Sequence, residues 1–315
     1  MWRTLQQWAD FVKLSHTVFA LPFALAAMVV AARDRQPAGW PGLRAFILIV
    51  LAMVGARSCA MAFNRIVDRR FDAENPRTAG RHLPTGEITL GAAWAVCLLG
   101  AGLLVAAAWA LNSACFTLSP VAIFLVCFYS LTKRFTDFSH VWLGLALAAA
   151  PVGAWLAVRG GLEFLPRPGG SLDLRTSAFV PLVLALAVVF WLVGFDIIYA
   201  TQDYEFDRRR GLHSLVVRWG PDNALGVAFI AHVFMWAILV VFGILNGFRF
   251  AYWVGLVLIL GLLVLEHLLA RKRTLPAINA AFFHLNAVVS LVFLSVVAVE
   301  ILFPWLRIRW FDGWL

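Results

Sequence analysis

The sequence predicts an all-α, polytopic membrane protein with nine transmembrane helices. Three observations predict it. Hydrophobic residues make up 62% of the 315-residue chain and charged residues only 14%, whereas a soluble domain averages roughly 45–50% and about 25%. The mean hydropathy is +0.85, and the apolar residues fall in runs that reach the about 20 residues a helix needs to cross a bilayer. Basic residues gather in the short connections between those runs, as topology signals do.

Taken in order, Met1 to Phe11 is polar and amphipathic and does not have the form of a secretory leader. The first apolar run, at 14–32, is long enough to remain as a span. The second, at 43–63, stops where Asn64-Arg-Ile-Val-Asp68 begins. The third and fourth, at 90–111 and 113–131, are separated only by Asn112 and Ser113. Together they are too long for one crossing, so a tight turn is expected between them. The fifth and sixth, at 139–158 and 178–199, flank a connection from Gly160 to Thr176. Its Pro166, Pro168, Gly169 and Gly170 mark it as irregular. Runs at 223–246, 250–270 and 279–304 complete the set. No soluble domain or low-complexity tail is visible, so residues 1–315 read as one transmembrane domain.

With the N-terminus in the cytoplasm, sixteen Lys and Arg residues fall on the cytoplasmic side and nine on the other. That bias predicts an N-in, C-out orientation. It also accounts for the net charge of +9 without a nucleic-acid partner. Cys59, Cys97, Cys115 and Cys127 lie inside apolar runs without metal-type spacing and read as small core residues.

The chemistry-bearing residues sit at the cytoplasmic ends of the spans. Asn64, Asp68 and Asp72 are four apart, which stacks them on one helix face. Asp203 and Asp207 repeat the spacing after another apolar run, with Asp196 two turns earlier. Four spans separate the two stretches, so both return to the same side of the membrane. Facing carboxylates repel one another and call for a cation. Magnesium takes hard oxygen ligands and retains waters, so such faces suit magnesium bridging to a diphosphate. The turn from Asn75 to Arg81 offers Arg77 and Arg81 as forks for phosphate. Tyr129 and Lys133 are one turn apart at the end of the fourth span, suited to a developing cation and to diphosphate respectively. Arg57 lies inside an apolar run, two turns before Asn64. A charge there is costly unless paired. It suits either a substrate carboxylate or a salt bridge to Asp196. His16 and His284 are expected to be hydrogen-bonded interior residues rather than catalysts.

With these residues in place, the chain resembles the UbiA superfamily of intramembrane aromatic prenyltransferases. The resemblance runs from about Phe11 to the last span and rests on Asn64-x-x-x-Asp68-x-x-x-Asp72, Asp203-x-x-x-Asp207 with Asp196 before it, Tyr129-x-x-x-Lys133, and Arg57. It implies nine helices around a central cavity that opens sideways to lipid. It points to a bacterial inner-membrane enzyme, whose active site the N-in orientation above is expected to open to the cytoplasm. It implies Mg2+ on Asn64, Asp68, Asp72, Asp203 and Asp207, a polyprenyl diphosphate donor, and a hydroxyaromatic acid acceptor whose carboxylate Arg57 reads. Asp196 would orient or bind substrate, Lys133 and Arg77 would add positive charge, and Tyr129 would shield the allyl cation. The expected acceptor is 4-hydroxybenzoate, in ubiquinone biosynthesis. One departure points elsewhere. The better-known ubiquinone enzymes begin the first span with an Asp-Lys-Pro-Ile-Gly-like segment, where this chain has Phe11-Val-Lys-Leu-Ser-His16. That start looks more like a branch linked to menaquinone made through futalosine, which implies 1,4-dihydroxy-6-naphthoate as the alternative acceptor.

Two other classes compete. A transporter would explain nine spans and buried charge, but it does not require two acidic faces on one side. A CDP-alcohol phosphotransferase would carry one extended acidic signature on about six spans, and neither is present.

Overall fold

The computed structural model describes residues 2–163, 174–272 and 274–303. The expected irregular connection containing Pro166, Pro168, Gly169 and Gly170 lies largely outside them, as do Arg167, Arg273, Arg307 and Arg309. Among the described residues there are nine helices long and apolar enough to cross a membrane, and no strand.

The elements are α1 (Trp2–Phe11), α2 (Thr17–Ala31), α3 (Leu43–Glu74), α4 (Leu90–Leu111), α5 (Ser113–Thr132), α6 (Ser139–Arg159), α7 (Phe179–Ala200), α8 (Tyr204–Arg210), α9 (Leu215–Asn246), α10 (Phe250–Ala270), α11 (Leu275–Asn279) and α12 (Asn286–Leu302). The amphipathic α1 precedes the first span and does not cross. Its end docks through fully buried Phe11 into a cluster with Cys59 and Ile66 of α3 and Ala93 and Cys97 of α4.

Three expected spans differ from the structure for physical reasons. The second continues unbroken as α3 to Glu74, because the carboxylates at its end are paired with cations of other segments, Asp68 with Arg134, Asp72 with Arg81 and Glu74 with Arg210, instead of ending the helix. The seventh begins at Leu215, eight residues earlier than expected, and α9 breaks at Gly220, whose φ of 77° and the following Pro221 interrupt the helical path. The ninth starts as α11, widens into a π-helix over Ala280–Leu285, and only then becomes α12. The tight turn between the third and fourth spans is borne out. Asn112 is fully extended (φ −169°, ψ 171°), caps Cys115 N–H, and donates to the Leu156 carbonyl of α6.

Lipid tails are as apolar as the side chains they meet, so close packing and buried polar contacts hold such helices together. Between α3 and α4 the contact is backbone on backbone: a Cβ added at Gly55 would lie 2.7 Å from the Gly100 carbonyl oxygen. Between α7 and α9, Gly194 leaves room for the His232 ring. At the centre, Trp191 Nε1 donates to Asn286 Oδ1 (2.7 Å) and Asn286 Nδ2 donates to buried Glu266 (2.8 Å), pinning α7, α12 and α10 together. Most of the partners across the bundle are sequence neighbours, with α2 closing it against α6 and α12. The side left less filled, between α3, α5, α6 and α7, is the cavity.

Candidate active site

The cavity encloses about 760 Å³. Its inner part is walled by apolar side chains such as Leu104, Ala108, Leu118, Leu125, Ala146 and Val152. At its mouth stand the two acidic pairs and their basic partners. Arg57, Asn64, Asp68, Asp72, Arg77, Arg81, Tyr129, Lys133, Asp196, Asp203 and Asp207 all line the cavity.

The continuous α3 carries Asn64, Asp68 and Asp72 on three successive turns, and Asn64 Nδ2 donates to Asp68 Oδ2 (2.9 Å). The second acidic pair stands on a broken helix. Asp203 ends a one-turn 3-10 segment, Thr201–Asp203, and Asp207 lies in α8. Each of these carboxylates is held by a cation. Arg134 donates to Asp68 (3.1 Å), Arg81 to Asp72 (2.6 Å), and Lys133 to Asp207 (2.9 Å). Arg77 grips Asp203 with two parallel bonds, Nε to Oδ1 at 2.8 Å and Nη2 to Oδ2 at 2.6 Å. Asn75 adds a third bond to Asp203, and its own Oδ1 accepts the Arg77 backbone N–H, which shapes the turn. Arg77 also donates to the Tyr199 hydroxyl and lies over that ring.

The charges of the loop groups follow this arrangement. Burial alone would pull the Lys133 ammonium down, but Asp207, Asp203 and Asp196 outweigh it and hold it above the usual lysine value. Burial opposes Arg77 likewise, and its bonds to Asp203 prevail. Behind the mouth, Arg218 holds the Asp137 carboxyl below the usual carboxylate range. Asp137 also meets His213, and the His213 N–H donates to the Lys133 carbonyl (2.6 Å), tying the α8–α9 connection to the α5–α6 connection.

Two further arginines of α3, Arg57 and Arg65, line the cavity without a salt bridge among the described residues. Arg57 donates only to the Lys13 carbonyl (3.3 Å), and its Nε is buried without a partner. Arg65 is 5% exposed, and its Nε and Nη1 are buried without partners. The expected alternative of an Arg57–Asp196 salt bridge is overturned: Asp196 instead meets His140 Nδ1 at 2.6 Å. Burial lowers the Lys13 ammonium below its usual value, and Arg65, Arg81 and Arg57 push it the same way, with Asp10 opposing. Aromatic rings close this end. Phe282 lies over Tyr199 with centroids 4.1 Å apart and meets Phe19 and Phe195 edge-on.

Two expectations for histidines fail. His16 makes no hydrogen bond through its ring. It lines the cavity among Phe19, Phe282 and Phe283. His284 is exposed, because the π-helix rotates it outward from the line of α12.

Among the described residues no three His, Cys, Asp or Glu side chains are already gathered as a metal site. The donor set nonetheless fits magnesium. It is all oxygen, it lies on two faces of one mouth, and Asp72 Oδ2 is buried without a partner.

Sequence reasoning missed Arg65, Asn75, Arg134, Tyr199 and His140 as members of the site. Arg65 is eight residues after Arg57 and so shares its face, and Tyr199 is one turn from both Asp196 and Asp203. These spacings could have flagged them. His140 has no local signal, because its partner is 56 residues away.

The UbiA prenyltransferase family model matches residues 20–288. The chain is 28% identical over 295 residues to a 4-hydroxybenzoate octaprenyltransferase of Tolumonas auensis, covering 94% of this chain and 96% of that one. It is 30% identical over 270 residues to the enzyme of the same name from Paraburkholderia phytofirmans, covering 85% and 86%. In structure it is similar to a UbiA homolog from Aeropyrum pernix K1, with a TM-score of 0.77 at 30% identity over 90% of this chain and 98% of that one. A UbiA homolog from Archaeoglobus fulgidus bound to DMAPP and Mg2+ shares the fold, with a TM-score of 0.67 at 20% identity over 93% and 99%. The match spans most of the sequence and sets aside the transporter and phosphotransferase readings: the chain belongs to the UbiA prenyltransferase family and is an integral membrane prenyltransferase.

Proposed function

We propose that this enzyme transfers a polyprenyl group from polyprenyl diphosphate to the ring of 4-hydroxybenzoate, with magnesium, in ubiquinone biosynthesis. One observation carries the reading: an apolar cavity ends in a mouth of carboxylate–cation pairs, and Arg57 and Arg65 line the same cavity with buried guanidinium nitrogens that have no partner. The names of the bacterial relatives, and the DMAPP and Mg2+ bound to the archaeal homolog, support it.

The isoprenoid tail occupies the apolar part of the cavity. The diphosphate sits at the mouth, where Arg77, Arg81, Lys133 and Arg134 turn from carboxylates to phosphate oxygens. Asn64, Asp68 and Asp72 on one face and Asp203 and Asp207 on the other would then hold the metal. Bound magnesium supplies charge neutralisation for the leaving diphosphate. The basic side chains add to that stabilisation as the allylic C–O bond breaks with its electron pair on the diphosphate. Tyr129, Tyr199, Phe195 and Phe282 keep water from the allyl cation. Arg57 and Arg65 hold the acceptor carboxylate, orienting the ring so that the carbon ortho to its hydroxyl supplies the electron pair of the new C–C bond. Asp196 takes the ring proton. The mouth, with the N-terminus, faces the cytoplasm of a bacterial inner membrane.

The Phe11–His16 segment favours 1,4-dihydroxy-6-naphthoate as the second reading, since that acceptor presents the same aryl carboxylate to Arg57. A magnesium-dependent assay in detergent, offering a polyprenyl diphosphate with each acid separately, tests both. A prenylated product from 4-hydroxybenzoate alone is expected. Product from the naphthoate alone moves the enzyme to menaquinone, and none from either acid with folded protein overturns the reaction.

A further inference from the structure

Five carboxylates line the cavity, and one has a partner of a different kind. Asp68, Asp72, Asp203 and Asp207 each face an Arg or Lys. Asp196 faces an imidazole. His140, at the start of α6, is 0% exposed, and its Nδ1 stands 2.6 Å from Asp196 Oδ2 on α7. His140 Nε2 is buried and has no partner. A hydrogen on Nε2 would be left without an acceptor, so the hydrogen belongs on Nδ1, donating to the carboxylate. The Asp196 side chain keeps 20% of its surface exposed where it lines the cavity, and its other oxygen accepts no hydrogen bond. It lies two turns deeper than Asp203 on α7, below the mouth and beside Phe195.

We propose that His140 is a positioning residue for proton removal. It fixes the Asp196 carboxylate so that the free oxygen faces the acceptor ring. This rests on the prenyl-transfer reading above. In that reaction the C–O bond of the donor breaks and a C–C bond forms to the ring. The ring C–H bond then breaks, its electron pair restores aromaticity, and its proton passes to Asp196 Oδ1. With Oδ2 held by the imidazole and the side chain open to the cavity, this carboxylate is placed to accept a proton from a ring bound there. The imidazole ties Asp196 to α6, whereas Arg and Lys side chains hold the four carboxylates assigned to the metal. The wall thus divides its acids by partner: cations hold those that serve the diphosphate, and a histidine holds the one that serves the ring.

The test compares H140L, H140N, H140Q and D196N in the magnesium assay, with acceptor carrying hydrogen or deuterium ortho to the hydroxyl. For H140L we expect kcat to fall about 10–100-fold, the range for a group that orients a reacting residue. Both KM values should stay within about twofold, and the ring-deuterium isotope effect on kcat should rise from near unity to above about 2, because proton loss becomes slow. H140Q, whose amide N–H can reach the same oxygen, should recover most of the rate and lose the isotope effect. H140N is one bond shorter and should behave as H140L with less disturbance of packing, so it carries the test if H140L does not fold. D196N should show the largest loss. Wild-type kcat in both H140L and H140N overturns the proposal, as does a slow H140N without an isotope effect. Exchange of 18O between bridging and non-bridging positions of the allylic diphosphate reports C–O cleavage separately. It should persist in all four variants, and its absence from the wild type would count against prenyl transfer itself rather than against His140.

Discussion

Arg57 and Arg65 differ from Arg77, Arg81, Lys133 and Arg134 in holding no carboxylate, and that difference makes them separable by experiment. Their buried nitrogens without partners are costly in the empty site and are satisfied when an anion arrives. R57M and R65M should each raise the KM for the acceptor about 10–100-fold, corresponding to the roughly 1.5–3 kcal/mol of a hydrogen bond to a charged group. The donor KM should change by less than about twofold, since the partners we assign to diphosphate are elsewhere. With an acceptor whose carboxylate is replaced by a neutral group, variants and wild type should converge. A rise in donor KM for R65M instead would move Arg65 to the diphosphate beside Arg81. Arg57 was legible in the sequence because a charge inside an apolar run stands out. Arg65 was hidden among Arg69 and Arg70, which topology explains equally well. His140 was invisible, because nothing within a few residues distinguishes a histidine that backs a carboxylate from one that faces lipid.

Among the elements, α3 does most to place the site, and its position depends on α4. The helix carries Arg57, Asn64, Arg65, Asp68 and Asp72, and it reaches α4 through facing glycines. A Cβ at Gly100 would lie 2.7 Å from the Cys59 backbone nitrogen, where nothing flexible can give way. G100A should therefore push the helices apart and cost about 1–3 kcal/mol. Thermal unfolding in detergent should show it against G102A, where a Cβ meets nothing within 4 Å and no loss is expected. Equal midpoints for the two would mean that the close approach carries no stability. Spans were readable from apolar length, because the bilayer fixes that length. Their ends were less so. Charged residues at 64–74 remain helical since Arg81, Arg134 and Arg210 from other segments pair with their carboxylates, whereas a glycine and a proline break α9 without ending it. The π-helix before α12 has no sequence signature, and the orientation of His284 was misjudged for that reason.

Across the whole molecule, the mouth is built so that metal and diphosphate need each other. Every acidic residue we assign to magnesium is already neutralised by a basic residue that we assign to diphosphate. Magnesium alone must displace those cations and leave them unpaired, and diphosphate alone must strip the carboxylates of partners. When both bind, each set of side chains exchanges one partner of opposite charge for another, and no charge in the mouth is left over. The two ligands are therefore coupled, and the coupling is reciprocal. Titration of the purified enzyme with inorganic diphosphate should give a Kd at least about tenfold lower with magnesium than without, and magnesium should tighten by the same factor with diphosphate present. Chelation should abolish turnover but barely shift the unfolding temperature, because the internal ion pairs re-form. In D203N, Arg77 loses its charged partner and is already free for phosphate. Diphosphate binding without magnesium should then strengthen, and the coupling should shrink. Equal affinities with and without the metal in the wild type would mean that the carboxylate–cation pairs persist in the bound state, and the assignment of those acids to magnesium would fall.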